Sequence, residues 1–437
     1  MLSSGDGSTT KIEIPYGKDR LQLEIDEENL SSVATPRRTQ PIHDLEGAVM
    51  KALGRPVASP SFRSLLGPGK KIAVLIDNFA RPTPAHSVLP PILKAIVDAG
   101  AEPKIIVANG GLRATTEEEL EAKLGREILN SGIPILQSIA KKEEDFVFLG
   151  VTSYGTPVEV HRAFYESDVT LGVHTTQMTL WGYGGGGSIV LPGVCSYETI
   201  EWNHRLAIGQ GSIQPGYVGP RNRLRNDIEE AAKLAGLNMV LNVILDVDGN
   251  VVDMAAGASA ESHRVSIEKF DRIYSYLVGW PGKVDISISG SLSWDKYLAH
   301  SCWPIATLDP VTKDGGTIIL ATPSPGGLAH FSYIKDYMPA TRESWRRVLS
   351  DIFNGKQELW HAMLWYPIHL VLQKKKVIVV TGEANVKALK DIGIESTTSI
   401  DEAYNLAVSR GPRNPKVLVA PYAKWMKPKT RRKRPSR

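Results

Sequence analysis

The sequence predicts an α/β protein of two domains, each a mainly parallel sheet covered by helices. Three observations carry this. A chain of 437 residues exceeds one comfortable hydrophobic core. From residue 71 onward, short apolar runs alternate with helical stretches, the pattern of strands joined by crossover helices. A second block of the same kind begins near residue 283. The boundaries expected are a disordered N-terminus over 1–10, an N-terminal domain over 11–270, a C-terminal domain over 271–423 and a basic disordered tail over 424–437.

The elements follow in order. "TKIEIPYG" and "RLQLEI" alternate apolar and polar residues, which predicts an opening hairpin. "KKIAVLIDN" reads as a buried strand, "AHSVLPPILKAIVDAG" as a helix stopping at Gly100, and "PKIIVANGG" as the next strand. "TTEEELEAKLG" opens with a threonine cap and an acidic first turn, so it reads as a helix. "DVTLGV" is a further strand, and "ASAESHRVSIEKFDRIYSYLVGWPG" a helical connection between the halves. In the second block "KVDISISG", "GGTIILATP", "KKVIVVTG" and "PKVLVAP" are strand-like, with the helix "IDEAYNLAVSRG" ahead of the last.

Composition excludes several classes. Hydrophobic residues make up 42% and charged residues 22%, ordinary for a soluble globular protein. The two cysteines, Cys195 and Cys302, lie far apart without metal-like spacing, so a reduced, cytoplasmic protein without a disulfide framework is expected. The N-terminus has no charged segment followed by an apolar run, so it does not read as a signal peptide. Trp360–Gln373 is too short and too polar for a membrane span. Net charge is +4, but eight Lys/Arg fall within the last 14 residues, leaving a mildly acidic body. Such a tail reads as a solubilising terminus; nucleic acid is not the expected partner of the folded body.

Two regions carry chemistry. Four consecutive glycines, Gly184 to Gly187, stand in "GYGGGGSIVLPG", where the absence of β-carbons lets backbone N–H groups approach an anion or a flat ring. Gly182, Gly184 and Gly187 satisfy G-x-G-x-x-G on paper. That fingerprint needs a strand immediately before it and a helix opening within it, and neither is in place, which disfavours a nicotinamide-dependent dehydrogenase. The second region is "DNFARPTP" after the first buried strand, with "ANGGLRATTEEE" after the next. Strand carboxyl ends are where open α/β sheets bind ligands. Arg81 and Arg113 there suit a carboxylate or phosphate, although a capping loop with an exposed arginine is the plainer alternative.

"DNFARPTP", "GGLRATTEEE", "GYGGGGSIVLPGV…ETI…NH" and "VKDGGTIIL" together resemble the signature blocks of the nickel-dependent lactate racemase family, in order over roughly residues 70–420. The resemblance implies a two-domain enzyme with its site in the cleft between the domains, and a homodimer. It implies a nickel-pincer nucleotide, in which a pyridinium mononucleotide carries nickel between two sulfur atoms and a ring carbon. Hydride abstraction from the α-carbon of a 2-hydroxy acid and its return to the opposite face would then invert the centre. His204 falls where the family places its nickel-ligating histidine. Asp77, Asn78 and Arg81 fall in the block lining the pocket, and Gly184, Gly185, Gly186 and Gly187 among the glycines at the cofactor.

The resemblance also marks departures. Ser188 stands at the position of the lysine that tethers the cofactor, so a cofactor here would be held non-covalently. Leu112 and Met178 stand where the family has two general-base histidines, and neither accepts a proton. His300 stands at a glutamine position and Trp303 at that of a substrate-binding lysine. His174, four residues before Met178, and His300 are the remaining candidates for acid–base roles. The reading this favours is a 2-hydroxy acid racemase or epimerase acting on a bulkier substrate than lactate. The alternative is a non-catalytic or regulatory relative that keeps a nucleotide or small-acid site.

Overall fold

The computed structural model describes residues 8–209, 211–277, 283–291 and 295–429. It divides into two compact units, residues 38–273 and residues 1–37 with 274–437. The chain opens with β1 (Thr9–Tyr16) and β2 (Asp19–Asp26), paired antiparallel as the alternation predicts, then β3 (Leu30–Val33). These strands do not join the domain that follows them in sequence. Ile12, Ile14, Leu23 and Ile25 of the hairpin are buried with Ile286, Ile288 and Ile319, and β3 pairs with a strand near the C-terminus. Residues 11–37 therefore belong with the C-terminal unit, not with the N-terminal domain expected over 11–270. A half-apolar hairpin needs a second sheet to cover it, and sequence does not say which one. Thr9 and Thr10, expected in a frayed terminus, already lie in β1; residues 1–7 of that expectation lie outside the described residues.

The unit over 38–273 is built on β4 (Lys71–Asp77), β5 (Glu102–Ala108), β6 (Ile135–Ser138), a side hairpin of β7 (Phe146–Val151) and β8 (Pro157–His161), and β9 (Val169–Thr175). A second, shorter hairpin of β10 (Gln177–Thr179) and β11 (Gly182–Gly184) leads on to β12 (Met239–Leu245) and β13 (Val251–Gly257). The main sheet runs β13-β12-β9-β4-β5-β6, parallel throughout except for the antiparallel edge β13. The central strands are buried on both faces, which is why they read as continuous apolar runs. The helix Glu117–Leu129 starts in a full capping box between Thr116 and Glu119, and Gly125 breaks it at a left-handed φ of 76°.

The other unit adds β14 (Ser275–Leu277), β15 (Val284–Gly290), β16 (Thr312–Ala321), β17 (Lys376–Val380), β18 (Glu395–Thr397), β19 (Val417–Val419) and β20 (Lys427–Lys429). Its sheet, β18-β17-β16-β15-β19-β3, is parallel throughout. The segment Leu359–Leu372 is a helix buried in this unit. Among the described residues no helix is long and apolar enough to cross a membrane. The tail expected to be disordered from residue 424 is ordered at its start. Lys424, Trp425 and Met426 are buried, the Trp425 ring packs edge-on against Tyr274, and β20 pairs in parallel with β14. Residues 430–437 lie outside the described residues.

Candidate functional site

The three strand-end loops of the sheet over 38–273 are sewn together. Asp77, closing β4, accepts the Thr83 hydroxyl and the Lys123 ammonium, and Thr83 Oγ1 lies 2.7 Å from Thr175 Oγ1 at the end of β9. Lys123 Nζ also donates to the Arg81 carbonyl at 2.9 Å. Asn78 Nδ2 donates to the Asn109 carbonyl beyond β5 at 3.0 Å. Asp77 and Asn78, expected to meet a cofactor, thus spend these groups in fixing the loop. Arg81 sits deep enough that burial lowers its guanidinium to about 10, with Asp77 opposing the shift, so it is a cation at neutral pH. Arg81 and Lys123 both feel the charge of the Asp77 carboxylate. Arg113 forms a two-pronged pair with Glu119, at 2.8 and 2.6 Å, and lies 4.1 Å over the Phe79 ring. Leu112 beside it is half-buried.

The glycine run faces the protein's own side chains. His263 Nε2 lies 3.0 Å from the Gly184 carbonyl, and Arg225 Nη2 donates to the Gly185 carbonyl at 3.2 Å. The Gly186 N–H donates to Asn242 Oδ1 at 2.9 Å, and the Gly187 N–H to the Glu229 carboxylate at 3.1 Å. A β-carbon at Gly185 would stand 2.8 Å from the His263 ring. One at Gly186 would stand 2.7 Å from Glu229, and one at Gly187 2.8 Å from Ala232. Glycine is therefore required here by close approach to the helices Arg223–Leu234 and Ser259–Tyr274. Three of the N–H groups that the sequence reading offered to a cofactor, those of Gly185, Gly186 and Gly187, are already taken. The run continues into a 3-10 turn over Gly186–Ile189, not the α-helix a dinucleotide fingerprint needs.

Ser188 closes this turn on itself, its Oγ donating to the Gly185 carbonyl at 2.8 Å and accepting the Gly185 N–H at 3.0 Å. Met178 pairs with Tyr183 across the β10–β11 hairpin and is buried, while the Tyr183 ring packs edge-on against Phe270 and its hydroxyl donates to Asp271 at 2.5 Å. Met178 is a packing residue in this setting.

Two of the candidate histidines, His174 and His204, lie in this unit. His174 lies beside Asn242 in the β9–β12 register, on the face of the sheet that takes the glycine turn, since a β-carbon at Gly172 would meet Ile189 at 2.6 Å. His174 is buried and its Nε2 has no hydrogen-bond partner among the described residues. Burial, then the nearby His263 and Arg225, lower it to about 3, so it is neutral at pH 7. His204 ends the helix Tyr197–His204, which Ser196 caps. Its Nδ1 lies 2.9 Å from the Ile200 carbonyl. A carbonyl only accepts, so Nδ1 carries the proton and Nε2 the lone pair, the arrangement a metal-ligating imidazole needs. Burial lowers His204 to about 4, which keeps it neutral.

The remaining candidates lie in the other unit. His300 is in the short helix Leu298–Ser301, 6.5 Å from the Tyr297 ring. Trp303 is buried at the start of the helix Trp303–Leu308, with the Lys424 ammonium 5.7 Å from its ring.

Sequence reasoning missed Lys123, Arg225, Glu229, Asn242 and His263. Arg225 and Glu229 stand four apart on one helix, a visible ion-pair spacing, and they meet at 2.6 Å. His263 was hidden in a stretch read only as a connection.

Two units, each a mainly parallel sheet covered by helices, define a two-domain α/β protein. Residues 16–215 match the family model described as the lactate racemase N-terminal domain. The lactate racemase of Thermoanaerobacterium thermosaccharolyticum is 26% identical over 422 residues, covering 94% of this chain and 97% of that protein. That of Lactiplantibacillus plantarum is 25% identical over 419 residues, with the same coverage. The fold is shared with the lactate racemase apoprotein of T. thermosaccharolyticum, at a TM-score of 0.87 and 24% identity over 96% of this chain and all of that one. A Thermotoga maritima protein shares it at a TM-score of 0.70 and 15% identity, over 90% of this chain and all of that one. Residues 16–215 thus match a lactate racemase N-terminal domain, and over nearly its whole length the chain is similar to lactate racemases.

Proposed function

We propose that this protein is a racemase or epimerase of a 2-hydroxy acid other than lactate, and that it holds a nickel-pincer nucleotide without a covalent tether. The observation carrying this is His204, a buried neutral imidazole at the position of the family's nickel ligand, whose Nδ1 proton is engaged by the Ile200 carbonyl, which assigns the lone pair to Nε2. Among the described residues no group of three or more His, Cys, Asp or Glu could hold a metal ion. A single imidazole suits a metal that arrives on its own ligands. The tether does not fit, because the Ser188 hydroxyl is bound within its own turn. When bound, the nucleotide supplies a hydride acceptor. The chain's residues supply the rest: Arg81 a cation for the substrate carboxylate, and His174 an uncharged nitrogen able to hold a proton. His300 is the second acid–base candidate. Leu112 and Trp303 in place of polar groups favour a larger, more apolar substrate.

A specific observation favours a second reading. Met178 is packed against Tyr183, so one of the two positions at which the resemblance puts a base is part of the core. A relative that binds a small acid without turning it over fits that. The two readings separate in one experiment. Protein co-expressed with the cofactor pathway is expected to purify with stoichiometric nickel, His204→Ala with none, and the wild type to racemise a 2-hydroxy acid. Nickel-free wild type sinks the cofactor reading. Nickel without racemisation of any 2-hydroxy acid leaves the binding protein.

A further inference from the structure

Each of the four consecutive glycines is held by a different side chain, and no two of the four contacts use the same backbone group. His263 holds the Gly184 carbonyl, Arg225 the Gly185 carbonyl, Asn242 the Gly186 N–H and Glu229 the Gly187 N–H. The four side chains come from two helices and β12, and they are joined to one another. Arg225 Nη2 donates to Glu229 Oε1 at 2.6 Å and points at His263 Nδ1 from 3.3 Å. Ser259 Oγ donates to the other Glu229 oxygen at 2.6 Å. Ser262 Oγ accepts from Asn242 Nδ2 at 3.2 Å. An arginine can only donate, so His263 Nδ1 accepts and Nε2 carries the proton given to Gly184. Arg225 Nη2 has two hydrogens for these three acceptors, so one hydrogen is shared, with neutral His263 between a guanidinium and a carbonyl.

We infer that Glu229 is the positioning residue of the candidate site: it is the hub of a brace that fixes the glycine turn from beneath and so retains a ligand that no lysine tethers. The inference rests on the proposed function for its ligand but on geometry alone for the brace. Without Glu229, Arg225 loses its only carboxylate contact among the described residues, Gly187 loses its acceptor and Ser259 loses its partner. His174 shares this face of the sheet, so the turn lies over a buried imidazole nitrogen, His174 Nε2, that has no hydrogen-bond partner among the described residues. A turn already held in place loses no conformational freedom when a ligand arrives, so its loosening is read as weaker retention.

The test compares full-length wild type with Glu229→Gln, Glu229→Asp and Leu53→Ala. The last creates a cavity in the core of the same unit, away from the turn, and serves as a control for general destabilisation. Two quantities are read: amide hydrogen exchange of the peptide spanning 184–189, and nickel per chain remaining after dialysis of protein co-expressed with the cofactor pathway. Glu229→Gln is expected to speed exchange of that peptide at least tenfold and to lose most of its nickel. Leu53→Ala is expected to lower the melting temperature while leaving both quantities near wild type, and Glu229→Asp to recover part of each. Wild-type exchange and wild-type retention in Glu229→Gln overturn the inference, as does an equal loss in Leu53→Ala. A wild type that holds no nickel overturns the proposed function and the retention half of the inference, while the exchange measurement still decides the brace.

Discussion

Lys123 puts an ammonium against the Asp77 carboxylate, and both side chains are nearly shut off from solvent. Removing one member of such a pair leaves the other charged and unpaired in a low-dielectric setting, at a cost of about 3–5 kcal/mol. Lys123→Met is therefore expected to destabilise by about that amount in urea denaturation. Adding Asp77→Asn is expected to recover a substantial part, since no carboxylate then remains buried. A double-mutant cycle with no coupling between the two sites contradicts this. The same pair shows what the sequence made legible at this scale. Arg81 and His204 could be picked out because each lies inside a short local block. Lys123 could not, because its partner is 46 residues away, nor could His263, whose glycine partner is 79 residues away. Charge pairing across such distances leaves no mark on either segment alone.

Among the elements, the glycine turn separates two kinds of glycine. Gly186 has φ +57° and a β-carbon there would press on Glu229 and His263. Gly184 has no left-handed φ, and a β-carbon there would find nothing nearer than 3.7 Å. Gly186→Ala is expected to cost about 2–5 kcal/mol, backbone strain and overpacking combined. Gly184→Ala is expected to stay within about 0.5 kcal/mol of wild type in the same unfolding experiment. Equal losses would show that the run is needed for something other than the fit described. Strands and helices of the main sheets were legible because buried parallel strands are apolar runs and caps such as Thr116 are local. The purpose of the glycines was not. A glycine run announces that something comes close, and whether that is a ligand or the protein's own Glu229 depends on the fold. Nor did the opening hairpin's sequence say which sheet it covers, because alternation specifies a buried face and not the surface that buries it.

For the molecule as a whole, the buried neutral histidines set the response to acid. His174 and His204 are lowered to about 3 and about 4 in the folded protein, mainly by burial, and His161, His263 and His369 shift in the same direction for the same first cause. In the unfolded chain these groups take up protons near 6.5, so below that pH the unfolded state binds protons that the folded state refuses. Their contribution is full above about pH 6.5 and is lost as the pH falls. Glu229 acts with the same sign in a lower window. Although burial alone would raise it, the Arg225 charge and the Ser259 hydrogen bond hold it below the ordinary glutamate value in the folded protein. Its contribution is therefore lost between the ordinary glutamate value near 4.3 and that lower one. The slope is about 1.4 kcal/mol per pH unit for each proton by which the two states differ. Urea midpoints measured at successive pH values from 7.5 to 4 are thus expected to fall monotonically, beginning near 6.5 and steepening below 4.5 as Glu229 joins. Replacing His174 by Gln is expected to flatten the upper limb, since one proton-binding difference is gone. A midpoint that stays level or rises between pH 7 and 5 would mean that these imidazoles are charged in the folded protein. His204 would then carry a proton on Nε2, and the lone pair on which the nickel reading depends would be lost with it.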